Sequence, residues 1–385
     1  MKFIIVPHLP SLYGRRYNLA KSLAQQGHEV HFIMYDFPYP FVPAHLLHHL
    51  KSSLRSRIYK HENFTVHKVR RLPLFWPIIN GWLFKYQINK IYKKHKVDYI
   101  ISQSYTNETL IPRKLPLVYD INDDHLAFAD IYGSHIYKFA TKILNVKHVI
   151  KTQTKQAILV TAVSDILVDF AKQYNKEVLK FPNGVDSAAF EVNPLSSAKK
   201  HRIVYVSTFG KWSRINDTIK LVGNLKDKYE DIHLDLIGDG TELEQAKRLV
   251  QQLKLEQFIT FYGRINNRDE LYELVSKAEI CLNISEKNKF RDAASPIKVT
   301  EYSALGKKIV STDLDEVRVL GFPNVFTFNF DDDIESFEKA VIKAFESKEN
   351  YLEVKDVVAR EFTWDSLSNK FLMKLNNIER RYDSK

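Results

Sequence analysis

The sequence predicts an α/β protein built from two doubly wound, Rossmann-like parallel-sheet domains facing across a cleft. Three observations carry this. Continuous apolar strands alternate with amphipathic helices from end to end, the alternation forms two series, and 385 residues are too many for one ordinary core. In the first half strands are expected at KFIIV, EVHFIM, FTVHKV, VDYIIS, PLVYDI, AILVTAV and EVLKF, with a helix at YNLAKSLAQQG ending on Gly27. In the second half they are expected at RIVYVS, IHLDLIG, FITFYG, EICLNI, KIVST and NVFTF; the clearest helix is TELEQAKRLVQQLKL. Periodicity lapses over residues 187–200, so this stretch is read as a linker between domains 1–186 and 201–362. Residues 363–385 form a last helix, expected to pack back toward the N-terminal domain. Ligands of open α/β sheets bind beyond the carboxyl ends of the strands, which places the site in the cleft.

Composition narrows the class. The single cysteine, Cys281, excludes an internal disulfide framework, reads as a small apolar strand residue and fits a cytoplasmic setting. MKFIIVPHLP is too short for a signal-peptide core, and no stretch approaches the roughly 20 apolar residues of a membrane span. The net charge of +11 is uneven: residues 51–96 hold twelve Lys/Arg and one acid, Glu62, a local excess equal to that of the whole chain. Such a segment attracts a membrane surface, nucleic acid or an acidic ligand, or else is a solvated basic face.

The stretch SPIKVTEYSALG (295–306) is a short helix with Ser295 as N-cap, Pro296 in the first turn and Gly306 as its left-handed end. It sets Lys298 and Glu301 three residues apart on one face. Its free N–H groups at Ile297 and Lys298 suit a diphosphate, Lys298 adds a full charge, and Glu301 is an acceptor suited to two ribose hydroxyls. A surface Lys298–Glu301 ion pair is the alternative. GDG (238–240) follows a strand, where glycine permits positive φ and close approach to a ligand, or simply makes a turn. FYGRIN closes the next strand with Gly263 and Arg264.

The ordered set GDG, FYGR, LYELVSKAEICLNIS and SPIKVTEYSALGKKIV resembles the nucleotide-sugar domain of glycosyltransferases with the GT-B fold. It is most similar to the large retaining family that includes sucrose synthases and many bacterial polysaccharide transferases. FPNGVD (181–186) resembles the PNGVD segment that ends that family's N-terminal domain, and the similarity spans residues 160–375. The pattern P-x-K-x-x-E-Y-x-A-x-G is similar to a branch of teichuronic-acid-type and exopolysaccharide transferases, with some likeness to the xanthan glucuronosyltransferase. The glutamate usual eight positions before Glu301 is replaced by Ala293, with Asp292 beside it, which leaves retention or inversion open.

The resemblance implies that Glu301 holds the donor ribose and that Lys211 and Arg214, in STFGKWSRIND, meet the donor phosphates, where charge grows as the nucleoside diphosphate leaves. Gly14 stands where the family has paired glycines near the donor. Arg15 and Arg16 are candidates for phosphate or acceptor contact. In VYDINDDHLAF an inverting enzyme would find its general base at Asp123, or else Asp124, with Asp120 bracing the loop and His125 beside them. A metal site or a plain Asp-rich turn are the other readings of that loop. No metal and no cofactor is expected beyond a UDP- or GDP-sugar donor. The acceptor would be a hydroxyl of a glycan or lipid-linked glycan, with segment 51–96 on the anionic inner face of the membrane and Phe75, Trp76, Trp82 and Phe84 as an apolar wedge. Two other classes remain: a nucleotide-sugar-binding partner subunit without catalysis, and a nucleic-acid-binding protein, motivated by charge alone without a known module.

Overall fold

Every apolar run read as a strand forms one. The computed structural model describes residues 1–6, 14–35, 57–69, 77–103, 105, 111–192, 198–329 and 334–383. It contains two compact units, Met1–Pro182 together with Trp364–Lys385, and Asn183–Thr363.

Unit one is built on β1 (Lys2–Val6), β2 (Glu29–Tyr35), β3 (Arg57–His61), β4 (Phe64–Val69), β5 (Tyr99–Ser102), β6 (Leu117–Ile121), β7 (Leu159–Ala162) and β8 (Val178–Lys180). Their order in the sheet is β3-β4-β2-β1-β5-β6-β7-β8. All neighbours are parallel except β3 and β4, an antiparallel hairpin turning at Glu62, whose φ is 48°. β3 (RIYKH) has no counterpart among the expected strands. It is an edge strand whose first four residues are exposed, so it carries no apolar signal.

Unit two is built on β9 (Arg202–Val206), β10 (His233–Ile237), β11 (Ile259–Gly263), β12 (Ile280–Asn283), β13 (Lys308–Thr312) and β14 (Val325–Phe328), all parallel, in the order β11-β10-β9-β12-β13-β14. The direction of winding reverses between β9 and β12. Cys281 lies fully buried on β12, and burial pushes its thiol up to about 12. It is the inert core residue its apolar flanks suggested.

Helix Arg15–Gln25 ends at Gly27, whose φ of 85° only glycine adopts without strain. Helix Trp364–Asp383 belongs to unit one: Phe371 is buried between Phe3 and Phe181, with ring centroids 6.3 and 5.9 Å away. Helix Pro77–His95 divides the proposed apolar wedge. Phe84 is a core residue, because it shares the inward face with Ile88, whereas Trp82 and Tyr86 are 66% and 52% exposed and stack on each other at 5.9 Å. Phe75 and Trp76 lie outside the described residues, as do positions 51–56 and 70–71 of the basic segment. Lys90, Lys93, Lys94 and Lys96 are exposed. Among the described residues no helix is long and apolar enough to cross a membrane.

Candidate active site

The reversal between β9 and β12 leaves a crevice at their carboxyl ends, because the loops after these two strands run away from each other across opposite faces of the sheet. Lys298 and Glu301 stand there. The helix is Ile297–Ala304, entered through Pro296 as N-cap and closed with Gly306 at φ 64°. Ser295 does not cap it. Its hydroxyl accepts the Asn183 N–H at 3.1 Å, tying FPNGVD to the start of the helix. The Ile297 N–H is likewise unavailable to a diphosphate, since it turns back onto the Ser295 carbonyl at 2.9 Å. The first-turn donor at this terminus is therefore Lys298 rather than Ile297.

Lys298 and Glu301 do not pair. The Lys298 ammonium lies 3.3 Å from the Val206 carbonyl at the end of β9 and 5.3 Å from the centre of the Tyr205 ring. Removal from water, with a smaller push from Arg291 and against the pull of Glu301, brings its pKa down to about 8. Glu301 Oε1 accepts from Arg268 Nη1 at 2.5 Å and from the Tyr272 hydroxyl at 3.2 Å. Both bonds fall on Oε1, and neither engages Oε2. Sequence spacing shows that Arg268 and Tyr272 share a helix face, four residues apart, but not that they reach a carboxylate 33 and 29 residues further on. Arg291 was also missed. Its guanidinium lies 5.8 Å from the Trp212 ring, on the loop after β9.

Lys211 is exposed in the short 3-10 turn Lys211–Ser213, and Arg214, at φ 54°, pairs with Asp217 at 2.6 Å. Gly263 ends β11 at φ 69°, and Arg264 beside it is exposed, two strands from the crevice. The glycines of GDG make their close approach to the protein itself. A Cβ on Gly238 would lie 1.8 Å from the Ser207 carbonyl oxygen, and one on Gly240 2.5 Å from that of Phe209. They lock the loop after β9 against β10 rather than admit a ligand. Ala293 is fully buried, and Asp292 accepts the Asp315 N–H at 3.2 Å, at the start of another helix.

In unit one the Asp-rich loop follows β6. Asp120 is 2% exposed and carries the ion pairs of Arg15 (2.9 Å) and Arg16 (2.8 Å), with Thr161 donating at 2.5 Å. Burial alone would raise its pKa; the two guanidinium groups outweigh burial and hold it at about 2. Arg15 also donates to the Phe181 and Pro182 carbonyls. Neither arginine is therefore the free phosphate or acceptor ligand expected: both brace Asp120, and Gly14 (φ 79°) starts the helix that carries them. Asp124 caps helix His125–Tyr132, its Oδ1 accepting from the Leu126 and Ala127 N–H groups. Asp123 is half-buried and accepts from Asn122 Nδ2 at 2.6 Å. Burial, reinforced by Arg16, lowers His125 to about 4; neutral at pH 7, it offers no charge to a phosphate.

Two family models divide the chain, one described as Glycosyltransferase Family 4 over residues 16–189, the other as Glycosyl transferases group 1 over residues 187–356. The chain is a GT-B glycosyltransferase. A curated relative, the N-acetyl-alpha-D-glucosaminyl L-malate synthase of Bacillus anthracis, is 23% identical over 322 residues, 80% of this chain and 75% of the relative. Solved structures share the transferase's fold. A glycosyltransferase from Rickettsia africae superposes with a TM-score of 0.68 at 16% identity over 98% of both chains. Anabaena HepE, solved with UDP and glucose, gives 0.66 at 14% identity over 98% of this chain and 99% of its own.

The Asp120 cluster yields a stability prediction. Its folded pKa lies below the unfolded value of about 4, so its stabilisation is present above pH 4 and lost as pH falls toward 2. Asp120→Asn leaves two buried guanidinium groups without their counter-charge and should destabilise unit one by about 3–5 kcal/mol at pH 7. Urea unfolding of both proteins at pH 7 measures the difference, which should shrink as pH falls toward 2; equal midpoints at pH 7 would refute it.

Proposed function

We propose that the transferase moves a sugar from a nucleoside diphosphate donor, a UDP- or GDP-sugar, to a hydroxyl of a glycan or lipid-linked glycan, in cell-surface polysaccharide or glycoconjugate synthesis. The observation that carries this reading is Glu301, held by Arg268 and Tyr272 on Oε1 alone, a turn from Lys298 at the strand-order reversal. Glu301 Oε2 would accept from the ribose hydroxyls. Lys298, its N–H and Lys211 would meet the diphosphate, with Arg214 and Arg264 as outer cations. The UDP and glucose bound by Anabaena HepE support a nucleotide-sugar donor. A thermal-shift panel of UDP-, GDP-, ADP- and TDP-sugars tests the reading, because a bound donor raises the melting temperature by mass action. A panel without a single shift refutes it.

Glu301→Ala should keep the fold and weaken nucleotide binding by about tenfold to a hundredfold, the loss expected of a charged hydrogen bond. Calorimetry with the nucleotide selected by the panel checks this, and unchanged affinity removes Glu301 from the site.

Asp123 is the proposed general base, since Asp120 is committed to arginines and Asp124 holds a helix cap through Oδ1. Asp123→Asn keeps shape and removes basicity. Turnover should fall by about a hundredfold or more with donor affinity intact. Full activity refutes the assignment, and a transfer assay on the wild type also separates an enzyme from a binding subunit.

We infer that the donor's charge is met by these cations without a metal. Transfer should persist when divalent ions are chelated during the assay; its abolition, restored by added magnesium or manganese, would overturn that.

The exposed face of helix Pro77–His95, with Trp82 and Tyr86 beside Lys90, Lys93 and Lys94, is proposed to rest on an anionic membrane on the cytoplasmic side. Each lysine near such a surface contributes about 1 kcal/mol, screened by salt. Liposome flotation should show binding to anionic but not zwitterionic vesicles, reduced by replacing Lys90, Lys93, Lys94 and Lys96 with Ser. Protein left unbound at low salt, or retained equally after the substitutions, counts against docking.

A further inference from the structure

Three imidazoles and a carboxylate meet at the amino-terminal edge of unit one's sheet, the opposite edge from Asp123. Glu29 and His31 are two apart on β2 and so share a face. His67 lies on the same face of β4, paired in register with Ile33, and His95 ends helix Pro77–His95, which covers that face. Glu29 Oε1 is 2.9 Å from His31 Nε2 and 3.4 Å from His95 Nδ1. The three ligand atoms all lie within 4.8 Å of one another.

We propose that Glu29, His31 and His95 bind a first-row divalent metal ion of the zinc class, with water completing the shell. Ligand atoms around tetrahedral zinc, with bonds of about 2.0–2.1 Å, stand about 3.4 Å apart, near the 2.9 and 3.4 Å that separate Glu29 Oε1 from the two imidazoles. The remaining groups suit the role. Glu29 Oε2 is steadied by Lys2 at 3.1 Å, which leaves Oε1 to the metal. His31 Nδ1 is 2.9 Å from His67 Nε2, an outer hydrogen bond of the kind that orients a ligating imidazole. A cavity of about 440 Å³ is lined by His95 and by His67, the hydrogen-bond partner of His31.

The nearby lysines repel a cation, so binding here rests on the placement of the three ligand atoms. The ion would join β2 to the end of helix Pro77–His95, the helix that presents Trp82 and the basic face. Its role is structural and separate from sugar transfer.

The test uses the full chain without a histidine tag, stripped by chelator and dialysed. Zinc titration by calorimetry should give one equivalent, and cobalt should produce the visible absorption of a tetrahedral site. His95→Gln and Glu29→Gln, both at positions that are not fully buried, should weaken zinc affinity by about tenfold or more while far-ultraviolet dichroism is unchanged. If one variant fails to fold, the other carries the comparison. The proposal is overturned when stripped wild-type protein takes up no zinc at micromolar concentration, or when both variants bind as tightly as wild type, which would assign uptake to other members of its 14 histidines.

Discussion

Two parallel neighbours in a sheet cannot be joined by a tight turn; the chain must cross the sheet and come back, and nearly always with the same hand. Among the described residues every strand pairing except β3–β4 is parallel. The loops that leave the strands therefore collect at one edge of each sheet, and the returns enter at the other. That constraint places Lys298 beside the end of β9, although 92 residues separate Lys298 from Val206. It also gathers Arg15, Asp120 and Asp123 at one edge in unit one while Glu29, His31 and His95 meet at the opposite edge.

Within that frame the two units treat buried charge differently. In unit one the arginines after β1 and the aspartate ending β6 satisfy each other, so the cluster is structural and fixes the loop that bears Asp123. In unit two the charges are only half satisfied. Arg268 takes one oxygen of Glu301, and Lys298 has a carbonyl and a ring face but, among the described residues, no carboxylate. A lysine with its pKa near 8 is a cation held at a cost. An incoming diphosphate would relieve that cost by supplying the missing counter-charge. Sites that bind anions are built with such a deficit, whereas braces are not.

The strands and helix Ile297–Ala304 were legible because their signals are local: apolar runs, a proline entering, a glycine leaving. The edge strand β3 was not, since a solvated strand needs no apolar pattern. Tertiary partners were beyond reach for the same reason. SPIKVTEYSALG states that Lys298 and Glu301 share a face; it cannot state that Arg268 occupies one side of Glu301, or that Ser295 answers Asn183 instead of its own helix. The glycines of GDG show the limit most plainly. Their need for close approach was readable, but not that the surface approached is the backbone of Ser207 and Phe209. The roles of Arg15 and Arg16 also depended on an aspartate more than 100 residues away.

The last helix adds a constraint of its own. Trp364, Leu367, Phe371 and Leu375 enter the core of unit one among residues of β1, β5 and β7, so that core is complete only when the end of the chain arrives. Unit two is continuous in sequence and holds its two ends side by side: the Val185 N–H donates to the Phe362 carbonyl at 2.8 Å, and Val185 bridges Thr363. Joining those ends closes a loop of more than 170 residues, and loop-closure entropy grows only logarithmically with length. The large insertion between β8 and helix Trp364–Asp383 is thus tolerated by unit one because unit two, once folded, delivers that helix to the same place from which the chain departed.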